Sequence, residues 1–110
     1  MKTLILSSVL AAASTSTFAF DAAQLNGTWC FYEQEAAGNT VEEKVTITLN
    51  GDGTYKWSDL FWKQDGTWSV DNNVLAMSNV GSHKLISVTA DKVEMRRGST
   101  MKMRKGPCPS

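Results

Sequence analysis

Few residues in this chain of 110 residues have the types and spacing that catalysis requires. His83 is the only histidine, in the segment GSHK at the edge of a predicted strand, where we expect a solvated side chain rather than a general base. Glu42 and Glu43 are adjacent, so alternation along a strand points them to opposite faces, and they do not form a glycosidase pair. The chain has no nucleophile elbow, phosphate-binding loop or zinc-ligand spacing. The sequence therefore predicts no catalytic residues and a protein that is not an enzyme.

Two segments invite comparison with metal sites. NGDGTY, residues 50–55, contains part of a calcium loop but lacks its further carboxylates and its distal glutamate, so a hairpin turn is the better interpretation. MKM places Met101 and Met103 on one face of a strand, where two thioethers would suit Cu(I). The alternative is that methionines fill gaps in the core, and Met95 falls on the same inward register. With His83 on a different strand edge, we expect core packing, no metal site and no cofactor.

The segment SDLFWKQ, residues 58–64, is the candidate for binding. Leu60, Phe61 and Trp62 are three consecutive apolar residues, and strict alternation cannot bury all of them. Exposed aromatic residues at a hairpin end or barrel rim are natural contacts for a ligand or a protein partner. The alternative is that a bulge or loop folds these side chains over the barrel mouth as a lid. We expect the segment at a hairpin end, with Phe61 or Trp62 partly exposed.

The first 19 residues have the pattern of a secretory signal peptide. Lys2 gives a positive start, LILSSVLAAA is an apolar stretch too short to span a bilayer, and Thr17 and Ala19 precede a cleavage site before Phe20. The alternative is an N-terminal helix retained in the mature protein. The pattern predicts a periplasmic or secreted protein, and no later stretch predicts a transmembrane segment.

Cys30 and Cys108 are the only two cysteines, and both belong to the predicted mature chain. In an oxidising compartment an even pair is typical of a disulfide, here between the first strand and the C-terminal tail. A chain this short has a small core and often needs such a link. A metal-ligating or catalytic cysteine is the alternative, but the chain has neither a CxxC pair nor a convincing histidine partner.

Period-2 alternation of apolar and polar residues dominates residues 20–110, and turns rich in Asn, Asp and Gly separate the alternating segments. KVTITL, residues 44–49, is the clearest strand, and NGDG, residues 50–53, is the clearest hairpin turn. The pattern predicts one all-β domain of about eight short antiparallel strands. An up-and-down barrel is the arrangement that best hides the edges of such a meander.

Charge is segregated along the chain. Residues 20–83 contain nine acidic and three basic residues, whereas residues 84–110 contain two acidic and seven basic residues. In a closed barrel the first and last strands are neighbours, so Glu33 and Glu35 would face basic residues. Those basic residues are Lys102, Arg104 and Lys105. A basic stripe that meets an anionic surface is an alternative, and a nucleic-acid partner is not expected because of export and the near-zero total charge.

The segments LNGTW, LNGDGTYKW and DGTWSVDNNVLAM occur in the order and spacing of small bacterial lipocalin-like domains, which the chain resembles over most of residues 20–110. The resemblance implies a barrel whose opening tryptophan, Trp29, closes the base, with an arginine of the last strand, Arg104, stacked across it. The chain is shorter than true lipocalins, and its aromatic residues could fill the interior. The resemblance thus implies a monomeric binding protein that contacts a small apolar ligand or a protein partner at the rim.

A second class of function fits the same size and cysteine content, namely a periplasmic inhibitor or immunity-type protein against a toxin or a cell-wall enzyme. C-type lysozyme inhibitors are comparable in size and cysteine arrangement, but their Ser-Gly-x-x-Tyr signature is absent from this sequence. A partner encoded beside the protein would favour the inhibitor, and a small molecule bound to protein from its own cells would favour a carrier.

We predict that the mature protein has no free thiol. Labelling of the unfolded, unreduced protein with a thiol reagent should modify neither Cys30 nor Cys108, and labelling after reduction should modify both. A cross-link that closes so long a loop is expected to stabilise the fold by about 4–5 kcal/mol. Two thiols that react without reduction would refute the pairing.

Overall fold

A computed structural model describes residues 20–109 of the chain. The predicted signal peptide, residues 1–19, lies outside the described residues. One short helix precedes eight strands in the described part, with these bounds: α1 Ala22–Leu25, β1 Gly27–Ala36, β2 Asn39–Leu49, β3 Thr54–Ser58, β4 Lys63–Asp71, β5 Val74–Met77, β6 Gly81–Val88, β7 Lys92–Arg97 and β8 Ser99–Lys105. Between residues 20 and 109 no helix is long and apolar enough to cross a membrane.

The eight strands form a closed antiparallel barrel. Each strand pairs with its neighbours in the chain, and β8 pairs with β1. The predicted all-β up-and-down barrel is therefore confirmed, and closure pairs the edges that an open meander would expose. The β1–β8 seam also joins opposite charges, because Lys102 Nζ lies 3.1 Å from Glu33 Oε2 and 3.8 Å from Glu35 Oε1.

Side chains fill the interior of the barrel. Alternation turns every second residue of each strand inward, and the buried apolar residues form one cluster. Phe31 belongs to this cluster, and its ring meets the ring of the partly buried Trp57 edge to face, with centroids 6.4 Å apart. The cluster consists of Leu25, Trp29, Phe31, Val45, Ile47, Leu49, Tyr55, Trp68, Leu75, Met77, Leu85, Val93, Met95, Met101 and Met103. The barrel thus has a packed core where larger barrels of this kind enclose a ligand.

One end of the barrel, here called the base, is closed by Trp29 and α1. Trp29 is fully buried, and its indole Nε1 donates a hydrogen bond to the carbonyl oxygen of Leu25 at 2.8 Å. Lys105 Nζ lies 4.6 Å from the centroid of the Trp29 ring and donates to the carbonyl oxygen of Asn26 at 3.0 Å. A cation over an indole face and a hydrogen-bonded indole nitrogen together hold the tryptophan in place.

The predicted contact between Arg104 and Trp29 is wrong, because the strand register places Lys105, and not Arg104, across from Trp29. On β8, Lys105 is the cross-strand partner of Trp29, whereas Arg104 is the partner of Cys30. Partners across an antiparallel pair point to the same face, so Lys105 turns inward and Arg104 turns outward. The Arg104 guanidinium carbon instead lies 4.7 Å from the centroid of the Tyr32 ring.

The turn between β2 and β3 is a hairpin turn that is stabilised by the carboxylate of Asp52, one of its own residues. Asp52 Oδ1 accepts hydrogen bonds from the backbone N–H of Thr54 at 3.0 Å and from its hydroxyl at 2.6 Å. These bonds, led by that from the hydroxyl, lower the pKa of Asp52. Gly53 adopts a φ of 90°, which a residue with a side chain would adopt only under strain. The turn interpretation of NGDG therefore describes the structure better than a calcium loop does.

The opposite end of the barrel, here called the mouth, is uneven because β2 is longer than β3. β3 pairs with β2 only from Thr46 to Leu49. The preceding part of β2 pairs with β1 alone and extends past the end of β3, beside the loop that joins β3 to β4. A register shift after Phe31 interrupts the pairing of β1 with both of its neighbours in this region.

The assignment at the base predicts different effects for two neighbouring cations. Lys105→Met should lower the free energy of unfolding by about 1–2 kcal/mol, because it removes a cation–π contact at a buried ring and a hydrogen bond from a charged group. Arg104→Met, the matched control, should lower it by at most about 0.5 kcal/mol, since its partner ring is partly exposed. Urea unfolding of both variants measures the difference, and a larger loss for Arg104→Met would contradict the register.

Candidate binding site

The loop between β3 and β4, residues 59–62, presents three apolar side chains to solvent. Leu60, Phe61 and Trp62 are 80%, 94% and 52% exposed. Asp59 braces the loop, since its Oδ1 accepts hydrogen bonds from the backbone N–H groups of Phe61 and Trp62, each at 2.8 Å, and its own N–H donates to the Trp62 carbonyl at 2.9 Å. The alternative of a lid folded over the core is therefore wrong for this loop, whose apolar side chains are each at least half exposed.

A groove of about 490 Å³ lies on the outer face of β1 and β2, beside this loop. We call it the outer groove, and its lining residues are Cys30, Tyr32, Glu33, Glu42, Glu43, Lys44, Leu60, Arg104 and Pro109. Leu60 and Lys44 also line two smaller clefts of about 190 Å³ and 200 Å³, the second of which includes Phe61. The exposed loop and the outer groove thus form one continuous surface at the mouth.

The C-terminal tail forms a wall of the outer groove. The tail leaves the end of β8 and returns over the outer face of β1, where the predicted disulfide between Cys30 and Cys108 is present. The backbone N–H of Cys108 donates to Thr46 Oγ1 on β2 at 3.1 Å. These two links hold Pro109 beside Lys44 and Leu60. The cross-link therefore shapes a surface as well as stabilising the fold.

The charges of the outer groove are mixed. Glu33 is paired with Lys102, and the hydrogen bond from the ammonium to Glu33, followed by the charge of Glu33, raises the pKa of Lys102. Glu42 and Glu43 form no salt bridge with any basic residue of the described part. The groove therefore offers two free carboxylates at its β2 side and an apolar wall at its loop side.

His83 lies inside the barrel, and the expectation of a solvated histidine is wrong. It is 3% exposed, because it shares the inward face of β6 with Leu85. Burial, and then the positive charge of Arg97, lower the pKa of His83, so its imidazole is neutral near pH 7. His83 Nδ1 and Trp57 Nε1 are buried atoms that have no hydrogen-bond partner among residues 20–109.

The described residues do not bring together the groups that metal or acid–base chemistry would need. No three His, Cys, Asp or Glu side chains of residues 20–109 converge in a way that could hold a metal ion. Glu42 and Glu43 line the outer groove, whereas His83 faces the interior, so the structure does not bring the histidine together with these carboxylates. The pieces of an acid–base site are thus separated by the wall of the barrel.

Two of these features could have been found by extending the alternation. HKLISV places His83 and Leu85 on one face, and MKMRK places Lys105 on the face of Met101 and Met103. The outer groove has no such signal, because it depends on the extension of β2 beyond β3 and on the path of the tail.

Comparison with known proteins connects the chain to a fold. No protein-family profile matches it, and no curated protein matches it in sequence. Among solved structures, the crystal structure of a lipocalin-like protein from Bacteroides uniformis ATCC 8492 superimposes with a TM-score of 0.67 at 13% sequence identity, covering 76% of this chain and 99% of that one. The chain has a small lipocalin-like fold. The resemblance inferred from LNGTW and the two later segments is confirmed, and the identity of 13% restricts it to the fold.

Within the lipocalin-like barrel, the buried histidine should make stability depend on pH. The pKa of His83 is lower in the folded state than the unfolded value near 6.5, so the unfolded state binds the proton more tightly. The free energy of unfolding should therefore fall as the pH drops through about 6.5. Urea unfolding at about pH 7.5 and about pH 5.5 tests this, with His83→Gln as the control that should lose the decrease. An equal decrease in both proteins would contradict the assignment.

Proposed function

We propose that the protein is a non-enzymatic binding protein that uses the β3–β4 loop and the outer groove to contact a small apolar ligand or a protein partner. The observation that carries the proposal is the exposure of Leu60, Phe61 and Trp62 in a loop braced by Asp59. Single exposed apolar residues are common, but three in succession on an ordered loop form a patch of the kind that marks binding surfaces.

The packed interior supports a site on the outside of the barrel. Fifteen buried apolar side chains form the core, and the fully buried Trp29 fills the base. A ligand in the centre would have to displace side chains that are packed against one another, at a cost of several kcal/mol. The outer surface at the mouth carries no such cost.

The size of the outer groove supports a small apolar ligand. Its volume of about 490 Å³ falls within the range of about 300–1,000 Å³ that is typical of small-molecule pockets. Leu60, Pro109 and the disulfide supply the apolar part of its lining. Such a ligand would lie under the loop, between Leu60 and the ring of Tyr32.

A protein partner is the second candidate, and the exposure of Phe61 favours it. A side chain that is 94% exposed at a loop tip can insert into a cleft of another protein, as interface anchors do. An inhibitor or immunity-type protein would act in this way on a toxin or a cell-wall enzyme. Lys44 and the free carboxylates of Glu42 and Glu43 would form the polar rim of such an interface.

We also propose that the protein works in the periplasm or outside the cell, as a monomer, without a nucleic-acid partner. The disulfide between Cys30 and Cys108 supports this location, because such bonds persist in oxidising compartments. The near-zero formal charge of the chain supports the exclusion of nucleic acid.

The loop should contribute to binding and little to folding. Native mass spectrometry of protein purified from its own cells identifies the bound molecule or partner, which then serves as the titrant. Phe61→Ala and Trp62→Ala should each weaken its binding by about 2 kcal/mol, which is the loss typical of a central interface aromatic residue. The free energy of unfolding should change by less than about 0.5 kcal/mol in Phe61→Ala. It should change slightly more in Trp62→Ala, because Trp62 is half buried.

Ile86→Ala is the matched control, because Ile86 is an apolar side chain, 48% exposed, on β6. This variant should leave the affinity unchanged. Loss of stability with unchanged affinity in Phe61→Ala and Trp62→Ala would refute the proposed surface, and the basic strand β8 would be the next surface to test.

A further inference from the structure

The outer faces of β6, β7 and β8 carry basic side chains that the proposed ligand contact does not use. Alternation buries every second residue of these strands, so Lys84, Lys92, Arg96 and Arg104 point outward, and all four are exposed. We call these four residues the basic face. Within residues 20–109, none of them forms a salt bridge with an acidic residue, whereas Lys102 does. The basic face therefore presents four positive charges that no ion pair neutralises.

The strand register sets like charges directly opposite each other in the basic face. Lys84 on β6 is the cross-strand partner of Arg96 on β7, and Lys92 on β7 is the partner of Arg104 on β8. The Cβ atoms of such partners lie about 4.5–5.5 Å apart, and like charges at these positions destabilise a sheet. An anionic partner would neutralise both pairs and remove this repulsion.

A like-charge pair of acidic residues is compensated within the protein itself. Glu33 on β1 is the partner of Glu42 on β2, but Lys102 forms a salt bridge with Glu33. The two basic pairs have no such neutralising neighbour among residues 20–109. The basic face is therefore the part of the described surface where a partner from outside the chain would bring the clearest electrostatic gain.

The spacing of the charges favours a fluid anionic surface. Lys92 and Arg96 are four residues apart, which corresponds to about 14 Å along a strand. Glu94 lies between them on the same face and is the partner of Lys102. A stiff anionic polymer lying along β7 would place a negative group against Glu94. The mobile headgroups of a lipid bilayer can instead gather at the two basic pairs and leave Glu94 uncovered.

The convex shape of the basic face favours an extended partner over a single small anion. Small anions are held best in concave sites, where several donors converge on one ligand. The four cations lie instead on the outside of a closed barrel, spread over three neighbouring strands. We propose that the basic face binds the protein to the surface of a lipid bilayer that contains anionic headgroups. Such a surface offers many anionic groups at once, so it contacts all four cations.

Binding through the basic face leaves the apolar loop accessible. In the closed barrel of eight strands, β7 is four strands away from β3 in either direction, so the basic face and the loop after β3 lie on opposite sides. Phe61 and Trp62 therefore face away from the bilayer and stay free to contact a ligand or partner. Attachment to the bilayer is thus a second function beside the proposed ligand contact. Arg104 also lines the outer groove, so it is left unchanged in the variants.

Flotation of the mature wild-type protein with lipid vesicles tests the attachment. Vesicles of phosphatidylcholine mixed with phosphatidylglycerol should bind the protein, and vesicles of pure phosphatidylcholine should not. Binding should be present at about 0.05 M salt and largely lost at about 0.5 M salt, because salt screens exposed charges. Absence of binding to the anionic vesicles at low salt, or equal binding to the neutral vesicles, would overturn the proposal.

Lys84→Gln and Lys92→Gln test the residues of the basic face. Each should weaken binding to the anionic vesicles about 5-fold, which is the contribution expected of one basic residue near a charged bilayer. Each variant also removes one member of a like-charge pair, so its urea midpoint should equal or exceed that of the wild type. Full vesicle affinity in both variants would contradict the proposal.

Lys56→Gln is the matched control. Lys56 is an exposed lysine on β3, on the far side of the barrel, and its cross-strand partner is Asp65. This variant loses the same charge and should bind the anionic vesicles as the wild type does. An equal weakening in Lys56→Gln would show an effect of net charge alone and refute the assignment to the basic face.

Two more measurements distinguish the bilayer from other partners. Phe61→Ala should keep its vesicle binding, and a loss there would identify the apolar loop as the membrane contact and overturn the proposal. Binding of soluble dextran sulfate without binding of vesicles would identify an anionic polymer instead and also overturn it. Lys84→Gln should retain the wild-type affinity for the ligand or partner of the loop, so the failure of either proposal leaves the other standing.

Discussion

The pairing of the first strand with the last is the constraint on which the rest of the structure depends. It closes the sheet and removes both edges, and it brings the end of the chain back to its beginning. Lys105 reaches Trp29 on the inside of this seam, and Lys102 reaches Glu33 on the outside. The same seam leads the tail to Cys30, where the disulfide fixes the closure covalently. Hydrophobic packing, electrostatic contacts and a covalent cross-link therefore all stabilise the pairing of β1 with β8.

Closure of a barrel with short strands divides the molecule into two environments. The interior is small enough for side chains to fill, so it becomes a core. Among residues 20–109, Nδ1 of His83 and Nε1 of Trp57 are the buried side-chain polar atoms without hydrogen-bond partners. The exterior carries the exposed apolar side chains of the β3–β4 loop and the groove bounded by the tail. The proposed contact with a ligand or partner lies on the outside, because the interior is filled by packed side chains.

A shift of one residue along a strand has large consequences in this fold. Lys105 faces the buried indole of Trp29, whereas its neighbour Arg104 faces solvent and the ring of Tyr32. His83 faces the core, whereas its neighbour Lys84 is exposed. Because alternate residues point to opposite faces, an error of one position moves a side chain from a polar to an apolar environment. The protonation of a titratable side chain then changes with the environment.

The sequence by itself determined the period-2 pattern, the NGDG turn and the number of strands, because alternation and turn chemistry are local properties. It also determined that Leu60, Phe61 and Trp62 could not all be buried. Only the tertiary structure decided which side chains meet across strands. The groove beneath Leu60 and the neighbours of His83 depend on relative strand lengths, on the register and on the path of the tail. These relations connect residues far apart in the chain, and no local pattern encodes them.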